Sequence, residues 1–252
     1  MNTKRDTPIV TYRSRLPHNI AMSHCILQAT ALGKTVRTPS EELVLLHDIH
    51  FTVHAGDSVA IVGTSGSGKS TLLGLLAGLD APSSGDIHLD GHALSALSEE
   101  EKAVLRAEKV GFVFQNFQLL PSLTALENVM LPLELRQTLT RTQCEQLACN
   151  FLERVGLAQR MHHYPRTLSG GEQQRVAIAR AFVGQPAILF ADEPTGNLDS
   201  KTAHHIADLL FALNQNTGTT LILVTHDEKL AARCQQQWRM EAGQLMTSIA
   251  PA

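Results

Sequence analysis

Long apolar runs are absent from this 252-residue chain, and no segment approaches the about 18 consecutive apolar residues that a membrane-spanning helix needs. The N-terminal region also lacks the apolar core of a secretory signal peptide, because Arg13 and Arg15 fall where that core would lie. None of the four cysteines forms a Cys-x-x-Cys pair, so we expect free thiols in a reducing compartment. These absences predict a cytoplasmic protein.

The chain also has little net charge, because 21 Lys and Arg side chains nearly balance 24 Asp and Glu side chains. That balance excludes a strongly basic nucleic-acid-binding protein, and we expect no nucleic-acid partner. Residues 1–23 are the exception, with four basic side chains against one acidic one. We interpret this segment as a disordered, solvated extension; a basic arm for nucleic acid or anionic lipid is the alternative.

The rest of the chain is apolar enough for a sizeable core, and it alternates between short apolar runs and helical patterns. Four runs lack the polar alternation of half-exposed strands, as expected for strands buried on both faces of a parallel sheet. These runs are Asp57–Val62, Val110–Phe114, Ala187–Ala191 and Thr220–Thr225. Helical patterns cover Lys69–Leu79, Glu172–Val183 and Ser200–Leu213. This order predicts an α/β fold with a mostly parallel sheet.

Two regions break the alternation. Residues 24–54 and 86–90 read as short strands joined by turns at Pro39-Ser40 and Asp90-Gly91, which predicts a small antiparallel sheet. Residues 116–168 are mostly helical in pattern and predict an insertion between two strands of the main sheet. We place the whole domain at residues 24–245 and treat residues 246–252 as a tail.

A glycine-rich loop carries the most specific motif. Residues 63–71 read Gly-Thr-Ser-Gly-Ser-Gly-Lys-Ser-Thr and fit G-x-x-x-x-G-K-[ST], after a predicted strand and at the start of a predicted helix. Glycines let backbone N–H groups face a phosphate, and the helix N-terminus adds partial positive charge. The alternative is a flexible Gly/Ser loop, which does not account for this placement. The phosphate-binding candidates are Gly63, Thr64, Ser65, Gly66, Ser67, Gly68, Lys69, Ser70 and Thr71.

Within this loop, Lys69 is expected to reach the β- and γ-phosphates of a nucleotide, and the Ser70 hydroxyl to ligate Mg²⁺. Two adjacent carboxylates, Asp192 and Glu193, follow the predicted strand Ala187–Ala191. Ligands of open α/β sheets bind beyond the carboxyl ends of the strands. We therefore expect Asp192 to hold the hydration shell of Mg²⁺ and Glu193 to orient or deprotonate the attacking water.

A third motif, Leu-Ser-Gly-Gly-Glu-Gln at residues 168–173, precedes a helical run. Taken alone, Ser169 and Glu172 form a capping box, which is a common feature of helix starts. The consecutive glycines Gly170 and Gly171 favour a second phosphate-binding loop. One γ-phosphate has little need of two such loops from one subunit, so a second subunit supplying residues 169–172 is the economical geometry.

Together, these motifs resemble the ATP-binding cassette family of ATPases over about residues 24–245. The resemblance implies a P-loop NTPase fold, with a RecA-like core, an antiparallel β-subdomain and a helical subdomain at about residues 116–170. It also implies that the chain binds ATP and Mg²⁺ and hydrolyses ATP.

The resemblance assigns roles to three further positions. Gln115 resembles the glutamine that contacts Mg²⁺ and the attacking water and links the core to the helical subdomain. His226 resembles the switch histidine that contacts the γ-phosphate, so the implied catalytic set is Glu193, His226 and Gln115. Asp199 lies in a segment that resembles the loop crossing to the other subunit's site.

One position departs from the family pattern. The family stacks adenine on an aromatic residue some 25–30 residues before the glycine-rich loop, whereas Val36 stands at about that place here. Base–aromatic stacking is worth about 1–3 kcal/mol in nucleic-acid systems. We therefore expect a weaker ATP KM than in a relative that has the aromatic residue.

The segments Phe114–Val129 and Ala191–Asp199 resemble those of the lipoprotein-release, macrolide-export and cell-division group of bacterial cassettes. This resemblance implies a head-to-tail pair of copies and a separate multi-spanning membrane permease. It places the protein on the cytoplasmic face of the inner membrane, where it would power export or extraction. The alternative is a non-transporting regulator that signals to a membrane partner, as in the cell-division type.

Four apolar residues near Gln115 allow two interpretations: Phe117, Leu119, Leu120 and Leu123. Exposed apolar residues around a surface loop can mark a docking site, here for a cytoplasmic helix of the membrane partner. The same residues could instead pack the helical insertion internally.

Overall fold

The computed structural model describes residues 24–37 and 41–249, so the basic segment 1–23 and the turn at Pro39-Ser40 lie outside the described residues. Its strands are β1 (Cys25–Arg37), β2 (Glu42–His54), β3 (Ser58–Val62), β4 (Ser84–Leu89), β5 (His92–Ala93), β6 (Val110–Val113), β7 (Ile188–Asp192), β8 (Thr220–Thr225), β9 (Gln236–Glu241) and β10 (Gln244–Ile249). Its α-helices are α1 (Lys69–Leu76), α2 (Glu99–Lys109), α3 (Ala125–Leu135), α4 (Arg141–Arg154), α5 (Gly170–Val183), α6 (Ser200–Thr217) and α7 (Glu228–Ala231). None of the helices in these ranges combines the length and apolarity that crossing a bilayer requires.

The central sheet has the strand order β10-β9-β3-β8-β7-β6, and only β10 runs antiparallel to its neighbour. The strand residues are apolar on both faces: Leu189 and Leu223 face one core cluster, whereas Phe190 and Ile222 face the other. The predicted mostly parallel sheet is therefore confirmed. Because β3, β6, β7 and β8 are parallel, the loops that follow them emerge at the same edge.

The predicted antiparallel sheet is also present, with the order β2-β1-β4-β5. Its last hairpin turns at Asp90 and Gly91, whose φ angles of 48° and 81° are those of a tight two-residue turn. This sheet packs on the core cluster that includes Leu72, Leu75 and Leu76 of α1. It thus supports the helix that begins at the glycine-rich loop.

Helices α3 and α4 form the insertion between β6 and α5 and pack against α5. Both begin with a capping box, at Thr124 and Thr140, in which the threonine and the residue at N3 satisfy each other's N–H groups. The predicted helical insertion is confirmed. The central sheet continues past residue 245, the predicted end of the domain, because β10 pairs with β9 along Gln244–Ile249.

Candidate active site

The glycine-rich loop joins β3 to α1, as its motif predicts. Gly68 adopts a φ of 99°, a left-handed conformation that favours glycine and lets the chain enter the helix at Lys69. A side chain at Gly63 would collide with the backbone carbonyl of Met240 in β9. The glycine at position 63 thus lets the loop pack closely against the sheet.

Lys69 is buried in this loop, and its Nζ donates hydrogen bonds of 2.8 Å to the carbonyl oxygens of Gly63 and Thr64. A buried ammonium group needs such partners, because desolvation otherwise costs several kcal/mol. These carbonyl bonds hold the positive charge inside the curve of the loop. The charge is therefore already in place for an anionic ligand.

Asp192, the last residue of β7, lies beside this lysine. Burial raises the pKa of the Asp192 carboxyl group, while a hydrogen bond from Ser70 opposes that effect. Glu193 raises the same pKa further and Lys69 lowers it. The Oδ1 atom of Asp192 is buried and has no hydrogen-bond partner among the residues that the structure describes.

The hydroxyl of Ser70 and the carboxylate of Asp192 are hard oxygen ligands of the kind that Mg²⁺ prefers. The unpartnered Oδ1 atom provides the free acceptor that a hydrated cation would use. The residues present therefore fit a magnesium ion at this position. Gln115, the third ligand candidate, lies at the same edge of the sheet but makes its side-chain hydrogen bond to Asn197, at 3.1 Å.

Glu193 is fixed by contacts on several sides. Its backbone adopts a φ of 45°, and its N–H donates to the carbonyl oxygen of Val224 at 2.9 Å. The Nδ1–H of His226 donates to its Oε1 at 2.9 Å, and the Thr225 hydroxyl donates to its Oε2 at 3.4 Å. The Glu193 side chain is 15% exposed, whereas that of His226 is 71% exposed. The carboxylate is thus oriented by Thr225 at the end of β8 and by His226 just after it, while most of the His226 side chain is exposed to solvent.

Gln115 follows β6 and is tied to the loop after β7. Its Nε2 donates to Asn197 Oδ1 at 3.1 Å, and Asn197 Nδ2 donates to the backbone carbonyl of Gln115 and to Asn116 Oδ1. Gly196 lies so close that a Cβ there would be 3.0 Å from the Gln115 amide nitrogen. Gln115 is therefore in direct contact with the loop that carries Glu193.

The Ser169–Glu172 segment begins α5 with the expected capping box. A Cβ at Gly170 would meet Leu198, and one at Gly171 would collide with Thr202 of α6. Gln174 in the same helix donates to the carbonyl oxygen of Pro194. Among the described residues, no hydrogen bond joins the Ser169–Glu172 segment to the glycine-rich loop of the same chain.

Asp199 caps α6, accepting hydrogen bonds from the backbone N–H groups of Lys201 and Thr202. The hydrogen bonds from Thr202 are the main reason why the pKa of this carboxyl group is lowered. The residue is exposed at the surface. Asp199 thus lies in the loop between β7 and α6, and its role at the other copy's site stays a prediction.

The structure thus brings Lys69, Ser70, Asp192, Glu193 and His226 together at one edge of the sheet. Two further residues of this region belong to none of the sequence motifs. Thr225 is buried at the end of β8 and bonds Glu193, and Gln174 is a fully buried polar residue on α5. A signal for Gln174 exists in the sequence, since an amide on the apolar face of a helix requires a partner.

The apolar segment after Gln115 is partly packed inside the domain and partly exposed, so it is compatible both with internal packing and with a docking site. Leu119 packs against the core cluster that joins the helical subdomain to one face of the central sheet, whereas Leu120 is 42% exposed. The residues Phe117 and Gln118 have positive φ angles, and their carbonyl oxygens accept hydrogen bonds from Arg180 of α5. The segment is therefore anchored internally through its backbone while part of its apolar surface faces solvent.

Comparison with known proteins decides the family. The family model described as ABC transporter matches residues 46–196, which is more than half of the chain. This chain belongs to the ABC transporter family. The matched range of this ABC ATPase contains the glycine-rich loop, the Ser169–Glu172 segment and the Asp192-Glu193 pair.

Individual relatives agree. The chain is 54% identical over 220 residues to an uncharacterized ABC transporter ATP-binding protein, YbbA, of Escherichia coli strain K12, covering 87% of this chain and 96% of that protein. It is 50% identical over 222 residues to the lipoprotein-releasing system ATP-binding protein LolD of Hydrogenovibrio crunogenus, covering 88% and 96%.

A solved structure resembles this ABC ATPase along nearly its whole length. The dimeric post-hydrolysis structure of the ATP-binding cassette MJ0796 bound to ADP and Pi matches with a TM-score of 0.84 and 37% identity, covering 90% of this chain and 99% of that one. The P-loop NTPase fold is therefore confirmed. The protein is an ATP-binding and ATP-hydrolysing subunit of an ABC transporter.

Proposed function

We propose that this ABC ATPase works as a head-to-tail pair of identical copies that powers a separate multi-spanning permease on the cytoplasmic face of the inner membrane. Each ATP lies between residues 63–71 of one copy and residues 169–172 of the other. The observation that carries the proposal is that the start of α5 packs on residues 194–202 and, among the described residues, makes no hydrogen bond to residues 63–71 of the same chain. A second copy can complete the site.

Within each site, the residues divide the work. Lys69 and the loop N–H groups bind the β- and γ-phosphates, since charge-assisted hydrogen bonds are the stronger class. Ser70, Asp192 and Gln115 would hold Mg²⁺, which when bound neutralises phosphate charge. Glu193 orients the attacking water and accepts its proton, with His226 and Thr225 fixing the carboxylate. General-base catalysis of this kind contributes about 10²–10⁴-fold to the rate.

The proposal also includes a route to the membrane partner. Gln115 is bonded to Asn197, and the next residues are bonded to Arg180 of α5. Closure of the two copies around ATP therefore moves the segment 116–123, which presents Leu120 to solvent. A cytoplasmic helix of the permease docks there. Removal of the γ-phosphate reopens the pair, an order change typical of phosphate switches.

The transported substance is a cargo of the permease, and we propose export or extraction from the membrane. The 50% identity with a lipoprotein-releasing system ATP-binding protein supports extraction. A regulator of the cell-division type would bind the same kind of partner, but ATP binding alone would serve its function. Partner-stimulated ATP turnover separates the two.

The paired assembly is tested with Glu193→Gln, which keeps the shape of the side chain but removes the base. We expect it to form a stable dimer with Mg-ATP, measured by size-exclusion chromatography with light scattering, and to lose at least about a hundredfold of the ATPase rate. Lys69→Ala is the control and should stay monomeric, because it removes the main phosphate-binding charge. A Glu193→Gln protein that remains monomeric with ATP would overturn the head-to-tail pair.

The membrane partner is tested with the same variant. Tagged Glu193→Gln protein is recovered from detergent-solubilised membranes of its source with Mg-ATP, and bound proteins are identified by mass spectrometry. We expect one multi-spanning protein that is absent from the Lys69→Ala sample, and we expect that protein to stimulate wild-type ATP turnover. Recovery of soluble or ribosomal proteins alone would contradict the transporter role.

A further inference from the structure

The start of α5 holds a carboxylate where an anion is to bind. Glu172 Oε2 accepts hydrogen bonds from the backbone N–H of Ser169 at 2.8 Å and from the Ser169 hydroxyl at 2.9 Å. The hydrogen bond from the Ser169 backbone, with the Ser169 hydroxyl, lowers the pKa of this carboxyl group, against the opposing effect of burial. A negative charge thus occupies the helix N-terminus that the proposed function offers to the triphosphate of ATP.

Two negative groups in the first turn of one helix repel each other. The carboxylate also accepts the hydrogen bond of the Ser169 hydroxyl, and a phosphate oxygen would need that hydroxyl as its donor. If ATP is to be bound there, the charge of Glu172 must be compensated and its position fixed.

Arg160 provides that compensation. Its Nε lies 3.3 Å from Glu172 Oε1, the oxygen that does not bond Ser169. Its Nη1 donates to His163 Nε2 at 3.0 Å, which holds the guanidinium from the other side. Arg160 ends a short 3₁₀ turn, Ala158–Arg160, that precedes α5 in the chain. Arg175, in the next turn of α5, also lowers the pKa of Glu172, but less than Arg160 does.

We propose that Arg160 is a positioning residue for the ATP bound by the second copy: by pairing with Glu172, it neutralises and holds that carboxylate so that Ser169 and the glycines of α5 can receive the triphosphate. The proposal rests on the head-to-tail pair proposed above. Arg160 lies outside the motifs that the family resemblance identified.

A double-mutant cycle in the Glu193→Gln protein tests this role. The measured quantity is the ATP concentration that gives half-maximal dimer, read by light scattering. In protein that keeps Glu172, Arg160→Gln should raise this ATP concentration about fivefold. In protein that also carries Glu172→Gln, the same substitution should raise it less than about twofold, since there is then no charge to compensate. Arg160→Lys, which keeps the positive charge, should stay within about twofold of the parent.

A purely structural role gives a different pattern. If Arg160 only supports the fold, Glu172→Gln does not rescue Arg160→Gln, and binding of a fluorescent ATP analogue to dilute monomer falls together with thermal stability. We expect that monomer binding to be unchanged, because it uses the glycine-rich loop. Equal losses with and without Glu172 would overturn the inference.

Failure of the proposed pair is recognised separately. If the Glu193→Gln parent forms no dimer with ATP, the proposed function fails before any Arg160 variant is compared. If the parent dimerises and the Arg160 variants form dimers at the same ATP concentration, only the positioning role is wrong.

Discussion

The Nδ1–H of His226 donates a 2.9 Å hydrogen bond to Oε1 of Glu193, joining the residue after β8 to the residue after β7. The carboxylate is largely enclosed, while the imidazole is mostly exposed. In a neutral ring, this bond leaves Nε2 as an acceptor facing outward. The histidine therefore orients the carboxylate that we propose as the general base.

Loss of that hydrogen bond should impair hydrolysis more than binding. We expect His226→Ala to lower kcat by about a hundredfold, within the range for a mispositioned general base, while the ATP-dependent dimer persists. Steady-state ATPase assays and light scattering measure the two effects. The exposed His205 of α6 provides the matched control, and His205→Ala should behave as wild type. An activity of His226→Ala within about threefold of wild type would show that the bond is dispensable.

Replacement of Asp192 should stabilise the fold at the expense of function. Because burial raises its pKa, ionised Asp192 reduces stability above its folded pKa, and the effect vanishes at low pH where both states are protonated. Asp192→Asn should therefore raise the free energy of unfolding near neutral pH, by at most about 1 kcal/mol because solvent partly screens this half-buried group. The gain should shrink as the pH falls toward the ordinary carboxyl range. Urea unfolding of wild type and Asp192→Asn, near neutral pH and in the ordinary carboxyl range, measures the change in free energy.

The control for that measurement is Asp208→Asn, which changes an exposed carboxylate paired with Arg233. Its effect should stay within about 0.5 kcal/mol at both pH values. A destabilisation by Asp192→Asn near neutral pH would mean that the attraction of Lys69 outweighs the burial of the charge.

An aromatic residue at position 36 should improve ATP binding. Val36 is 39% exposed on β1, opposite Leu43 of β2. Val36→Tyr should lower the ATP KM by about fivefold or more, because base stacking is worth about 1–3 kcal/mol. Val104→Tyr, on the exposed side of α2, is the matched control and should leave KM unchanged. An unaltered KM in Val36→Tyr would refute the assignment of this position to the adenine contact.

Asn128 should prove essential for the shape of the segment after Gln115. It is fully buried, and its Oδ1 accepts a hydrogen bond from the backbone N–H of Leu120. Its Nδ2 donates to the backbone carbonyl oxygens of Leu120, Leu123 and Thr124. Asn128→Ala should cost about 3 kcal/mol of unfolding free energy, because it leaves buried backbone groups unpaired. Urea unfolding measures the loss, and hydrogen exchange should show faster exchange at Leu120.

The exposed Asn150 of α4 is the control for this substitution. Asn150→Ala should change stability by less than about 0.5 kcal/mol. If Asn128→Ala exchanges at Leu120 as slowly as wild type, the side chain does not hold the segment.

The sequence did not reveal every element. The apolar pattern does not predict helix α2, because the helix is mostly polar, although Ser98 and Glu101 form a capping box at its start. The apolar pattern does not predict strand β9 either, because polar residues flank Trp238 on both sides. Helix α6 runs to Thr217 rather than Leu213 and ends at Gly218, whose φ of 66° marks the stop.

The sequence by itself determined the phosphate-binding loop, the carboxylate pair and the start of α5, since each is a contiguous motif whose chemistry depends on neighbouring residues. Only the tertiary structure decided the pairs Glu193–His226, Gln115–Asn197 and Glu172–Arg160. Each pair joins residues on different elements, and their contact depends on strand order and helix packing. Local spacing along the chain does not encode those distances. The first two arise only when the strands align and their carboxyl ends meet at one edge. The third arises only when the 3₁₀ turn at residues 158–160 packs against the start of α5.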